Sequence, residues 1–129
     1  MLVKTTATRL RYPDLMVICN DDPSQNNYVR EAPLLIVEVL SSHTRRQDKT
    51  EKRTEYLSLP SLQEYVLIEQ DIVEIEVQRR REAWRLSYYY LGQALVLESI
   101  GLELPVAAIY ERVENNDMQA YLARQNRED

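Results

Sequence analysis

Three side chains have the types and placement for divalent-metal chemistry: Asp14 directly after Pro13, Glu38 within the apolar run Leu34-Leu35-Ile36-Val37-Glu38-Val39-Leu40, and Lys52 beyond that run. An ionised carboxylate among aliphatic side chains is costly unless it is paired, and otherwise its pKa shifts until it neutralises. Glu38 therefore requires a partner: a metal ion, a basic side chain, or a proton held in a structural hydrogen bond. Asp14 stands at the mouth of the preceding apolar stretch, and if the two stretches pair as strands it lies beside Glu38. Two close carboxylates repel, and a divalent cation relieves that repulsion best. Mg²⁺ typically takes one or two protein carboxylates and fills its remaining positions with water and phosphate oxygens.

Lys52 belongs to a stripe. Asp48, Lys52 and Tyr56 are spaced i, i+4, i+8, with Leu59 at i+11, so all four share one helical face. With Tyr56 and Leu59 toward a sheet, Lys52 turns inward to the Glu38 strand. The competing arrangement is a surface ion pair of Lys52 with Asp48, worth ~0.3–0.5 kcal/mol and without chemistry. Likewise, Asp14 can be a strand-end turn residue and Glu38 the ion-pair partner of an arginine.

The elements that must position these groups follow from pattern. Residues 2–8 read as a strand leading into Arg9–Pro13, and Leu15–Cys19 as a nearly unbroken apolar strand. Asp21 to Pro33 is the longest loop. The run after Pro33 has the character of a strand covered on both faces, as in α/β sheets. Thr44 and Gln47 have capping-box spacing, and the helix they open should run to about Leu59, before Pro60. Tyr65–Ile68 is a further buried strand. Gln70-Asp71 forms a turn into Ile72–Gln78, where Val73, Ile75 and Val77 alternate with Glu74, Glu76 and Gln78. In Ala83–Tyr90 the side chains of Trp84, Leu86, Tyr88 and Tyr90 share one face and are expected to be core in preference to a base-stacking platform. Pro105 opens a short helix with Val106, Ile109, Tyr110 and Val113 at i, i+3, i+4, i+7. Asp117 is placed to cap a last, marginal helix through Met118, Tyr121 and Leu122.

A chain of 129 residues suits one core, with residues 1–113 as the domain and 114–129 as a polar tail. The expected fold class is α/β: a mixed central sheet flanked by helices, with a C-terminal antiparallel meander. Two glycines and no GxxxxGK or GxGxxG exclude a phosphate-loop or dinucleotide-binding enzyme. No apolar run approaches the ~20 residues that span a bilayer, and the expected location is cytoplasmic, without membrane attachment. Cys19 is the only cysteine, which excludes an internal disulfide, and its apolar surroundings predict a buried thiol. A net charge of −5 argues against general nucleic-acid affinity, yet Arg45, Arg46, Lys49, Lys52 and Arg53 make one local basic patch and Arg79, Arg80, Arg81 and Arg85 another. The lone His43, in a polar loop, is expected to be solvent-exposed.

The segments RYPDLMVIC, PLLIVEVLSSHTRRQDKTEKRTEY, PSLQEYVLIEQD and GLELPVAAIYERV, in this order, resemble the Uma-type restriction-endonuclease-like family of the PD-(D/E)xK nuclease superfamily, over Tyr12 to Val113. The resemblance implies a restriction-endonuclease-like fold and metal-dependent endonuclease activity on DNA, with Mg²⁺ or Mn²⁺ as cofactor. Asp14 and Glu38 match the family's metal ligands, and the backbone carbonyl of Val39 is the further ligand it implies. The superfamily lysine two residues after the glutamate is replaced here by Leu40, and Lys52 matches the helix lysine that substitutes for it. Asp48 and Tyr56 match the flanking positions expected to orient that lysine. On DNA, Arg45, Arg46 and Lys49 would meet backbone phosphates. Family members usually begin with an additional helix and strand, and the sheet face left uncovered without them predicts a homodimer. The alternative is a catalytically degenerate nuclease scaffold serving in binding or assembly.

Overall fold

The computed structural model describes residues 1–7, 9–19, 21–24, 28–41 and 48–128. Its strands, in chain order, are β1 (Leu2–Lys4), β2 (Leu10–Arg11), β3 (Leu15–Ile18), β4 (Val29–Arg30), β5 (Pro33–Leu40), β6 (Glu64–Glu69), β7 (Ile75–Arg79), β8 (Leu86–Tyr89), β9 (Ala94–Leu97) and β10 (Leu102–Pro105). Five of them make the central sheet in the order β3-β5-β6-β7-β8. Only β5 and β6 run parallel there; the other neighbours are antiparallel, which makes the sheet mixed as expected. A parallel pair needs a crossover. That crossover carries a π-helical turn, Asp48–Lys52, continuing into helix α1 (Arg53–Leu57). A small sheet, β2-β1-β4, and the β9–β10 hairpin lie apart from the main ladder.

Alternation along β5 divides the interior in two. Leu35 and Val37 face one core with Val66, Ile75, Val77, Leu95, Leu97, Val106 and Tyr110. Ile36 and Leu40 face the other, with Val3, Tyr56, Leu59, Leu62, Tyr65 and Leu67. Glu38 shares their parity and so points into this second, helix-covered core. The short helix α2 (Val106–Ile109), opened by Pro105, closes the first core together with α3 (Asn116–Glu128).

Several expectations are corrected. Helix α1 ends at Leu57, short of Leu59, with Ser58 as its C-cap, while the proposed capping box of Thr44 and Gln47 lies outside the described residues. The thiol of Cys19 is exposed, because β3 is an edge strand that stops at Ile18. Of the aromatic stripe only Trp84 packs against a core, the second one, while Leu86, Tyr88 and Tyr90 are each more than two-fifths exposed. β8 is the other edge of the sheet, and it is Tyr89, of opposite parity, that packs on the first core. Trp84 stands outside the strand, at φ 62° beside Ala83 at φ 55°, in the tight connection after β7. There its ring lies 5.0 Å from the Arg80 guanidinium. At α3, Asn115 Oδ1 accepts from the Met118 N–H at 2.8 Å and acts as the cap expected of Asp117. Asp117 instead accepts from the Val73 N–H at 2.9 Å, and Met118 is buried in the first core. Leu122 is exposed.

Candidate metal centre

The register of β3 against β5 brings the two acids together. Leu15 pairs with Val37, so the next residue back, Asp14, falls opposite the next residue on, Glu38. Pro13, buried, fixes the backbone entering this position. The Asp14 carboxylate accepts from the Val39 N–H through Oδ2 at 2.7 Å, which ties it across the strand end while leaving the residue exposed. Asp14 thus looks outward, whereas Glu38 is 2% exposed. The two also come within each other's hydrogen-bonding and electrostatic reach.

Glu38 is the strained member. Burial among Ile36, Leu40 and the helix pushes its carboxyl up to about 7. The positive charge of Lys52 and a hydrogen bond from Tyr56 pull the other way, and the neighbouring Asp14 charge adds to the rise. The Tyr56 hydroxyl, on a fully buried side chain, donates to Glu38 Oε1 at 3.0 Å. The same burial and the Glu38 charge push the Tyr56 phenol up, so it stays a donor. Tyr56 was expected to orient Lys52; its hydroxyl is committed to Glu38.

What holds Lys52 and Tyr56 toward β5 is a pair of long-range clamps on the same helical segment. On one side Glu55 accepts from Arg11 Nε at 2.6 Å and from Thr5 Oγ1 at 3.0 Å. Burial would raise the Glu55 carboxyl, but these bonds outweigh it and hold it below the usual range. On the other side Arg53 is bonded to Glu76, a buried residue on β7. Glu76 lies on the same cross-strand row as Asp14, Glu38 and Leu67. Sequence reasoning identified neither clamp. The glutamates on the polar parity of Ile72–Gln78 were the available signal, since an acid on a strand whose five residues are all buried requires a cation.

Among the described residues no third His, Cys, Asp or Glu joins the two acids. The donor set among the described side chains is therefore two carboxylates, hard oxygen ligands of the kind that suit Mg²⁺ or Mn²⁺. The raised carboxyl of Glu38 fits a cation-binding role, because a divalent ion there would favour the ionised form that burial disfavours. Of the other expected residues, Asp48 and Lys49 open the π-helical turn, and their side chains lie outside the described set. Arg45, Arg46 and His43 also lie outside it.

Comparison with known proteins adds a family. A family model, Uma2, with the description "Putative restriction endonuclease", matches residues 1–107. Over 100 residues the chain is 34% identical to the uncharacterized protein slr1290 of Synechocystis sp. (strain ATCC 27184 / PCC 6803 / Kazusa), covering 76% of this chain and 53% of that protein. Over 67 residues it is 40% identical to the uncharacterized protein sll1609 of the same organism, covering 50% of this chain and 38% of that one. The chain thus spans about half or less of the length of these relatives.

Proposed function

The chain belongs to the Uma2 family, described as putative restriction endonucleases, and from that membership and the converging Asp14, Glu38 and Lys52 we propose a divalent-metal-dependent endonuclease that hydrolyses DNA phosphodiester bonds. The observation that carries the reading is the near-buried Glu38 carboxylate, facing Asp14 across a strand pair and within electrostatic reach of Lys52.

In this reading Asp14 and Glu38, with the Val39 carbonyl, hold Mg²⁺ or Mn²⁺. When bound, the ion polarises the scissile phosphate and lowers the pKa of a water. Tyr56 keeps one Glu38 oxygen engaged and so fixes the carboxylate's orientation. Lys52 orients the attacking water or offsets the negative charge that grows on the phosphate. Arg45, Arg46 and Lys49 supply phosphate contacts that position the strand without reading its sequence. The proposal keeps a homodimer as the form in solution.

Plasmid nicking by the purified chain with Mg²⁺ or Mn²⁺ tests the activity. Cleavage is expected, and Asp14→Ala and Glu38→Ala should each abolish it. Nicking that persists in both variants identifies a contaminant and leaves the inert scaffold as the better account.

A further inference from the structure

The helix that presents Lys52 and Tyr56 is too short to hold its own place. α1 has five residues, follows a π-helical turn and starts without a side-chain capping bond at Lys52. Isolated helices shorter than about 12 residues are marginal in water, so where Lys52 stands is set by what grips the helix from outside. Tyr56 grips Glu38 on β5. Glu55, the residue before it, grips a different part of the chain. Its Oε2 accepts from Arg11 Nε at 2.6 Å and from a terminal nitrogen of the same guanidinium, and its Oε1 accepts from Thr5 Oγ1 at 3.0 Å. The Arg11 and Glu55 side chains are only 16% and 12% exposed, so water competes weakly for these charge-assisted bonds.

The places of the two partners in the chain give the pair its meaning. Arg11, on β2, lies three residues before Asp14, with Tyr12 and the buried Pro13 between them. Three residues of chain reach about 10 Å at most, and the proline fixes one of the intervening torsions. Glu55 lies three residues after Lys52, a spacing that makes neighbours on a helix surface. The ion pair therefore bridges the strand end bearing one proposed metal ligand to the helix bearing the lysine. We infer that Arg11 and Glu55 are positioning residues of the metal centre, which set where Lys52 stands relative to Asp14 and so align it with the reacting phosphate; this rests on the nuclease reading of the site.

Nicking kinetics of Arg11→Lys and Glu55→Gln test the inference. Lysine keeps the charge and loses the planar fork, whereas glutamine keeps the shape and loses the charge. Each should lower kcat by roughly 10- to 100-fold, the loss that a misplacement of about an ångström produces, with KM and Mn²⁺ affinity close to wild type. Arg9→Ala, at a neighbouring cation 60% exposed and 3.9 Å from Glu55, should nick like the wild type. The decisive readout is a double variant. Arg11→Lys combined with Lys52→Met should be no slower than Lys52→Met alone, because a pair that acts through the lysine then has nothing left to position. Losses that multiply make the pair a general support of the fold and overturn the inference. So do a defect in KM alone, which would make Arg11 a DNA contact, an equal defect in Arg9→Ala, and wild-type kcat in both single variants.

A measurement without DNA separates the two levels. Mn²⁺ alone broadens the NMR signals of nearby nuclei with a steep dependence on distance. The Lys52 side-chain signal should be broadened in the wild type and less so in Arg11→Lys and Glu55→Gln at equal metal occupancy. That result without any Asp14-dependent nicking removes the nuclease and leaves the positioning pair standing. Asp14-dependent nicking with equal Lys52 broadening and equal kcat in all three proteins overturns the pair and leaves the nuclease intact. A wild type that shows neither nicking nor Lys52 broadening overturns both.

Discussion

The Tyr56 hydroxyl donates to Glu38 Oε1 at 3.0 Å, with both side chains out of contact with bulk water. The helix after the glutamate strand thus does more than present a lysine: it also holds the buried carboxylate in place. Tyr56→Phe should destabilise the protein by about 1–2 kcal/mol near pH 8, where Glu38 is ionised, measured by urea unfolding. It should also raise the Glu38 carboxyl further, because the Tyr56 bond is one of the influences holding it down. The pH at which Mg²⁺ begins to protect the fold would then move upward. An unchanged protection profile would mean that the hydroxyl has no bearing on the site.

Glu38 itself should behave as a destabilised acid in the metal-free protein. Its carboxyl rises from 4.5 to about 7 on folding, chiefly through burial, so between those pH values the folded chain binds more protons than the unfolded one. Stability therefore falls as pH rises through that window, by about 3 kcal/mol in all. Glu38→Gln, neutral and of the same shape, should be more stable than wild type at pH 8 and no more stable at pH 4. Mg²⁺ should raise the melting temperature of the wild type and leave that of the variant unchanged. Equal pH dependence in the two proteins would contradict the assignment.

Lys52 is assigned to chemistry, and removing it should spare the metal. Lys52→Met should lower nicking by roughly 10²–10³-fold, the usual loss for one electrostatic donor at a reacting centre. Mn²⁺ affinity, followed by calorimetry, should stay within a few-fold. Undiminished nicking would return Lys52 to a structural role.

Much of this arrangement is legible in the residues themselves. The Pro33–Leu40 run announces a strand covered on both faces, its one acid demands a partner, and neighbouring apolar stretches pair, so Asp14 and Glu38 could be brought together on paper. What escaped is non-local. Nothing in the spacing of Glu55 or Arg53 reveals that they reach Arg11 and Glu76, because those contacts exist only once β1, β2 and β7 surround the helix. The exposure of Tyr88 and Tyr90 has a related origin: alternation gives parity but not whether a second layer covers that face, and β8 is a sheet edge. Cys19 is exposed for the same reason, at the other edge.

The second basic patch is structural at its centre. Arg79 is 5% exposed and donates to Glu64 at 3.0 Å, to the Val96 carbonyl at 2.7 Å and to the Tyr89 hydroxyl at 3.2 Å. Arg79→Met leaves Glu64 with a buried charge and should cost about 3–5 kcal/mol, with or without Mg²⁺. Arg81→Met, at a side chain 66% exposed, should leave stability nearly unchanged. Similar losses in chemical denaturation would show that burial does not separate the two.

The account stands on a cation shared by Asp14 and Glu38, and anomalous diffraction from a crystal soaked in Mn²⁺ reads that directly. It predicts one strong peak within bonding distance of both carboxylates, lost in Asp14→Ala. A peak elsewhere, or a soaked crystal with no density between these two side chains, would contradict it.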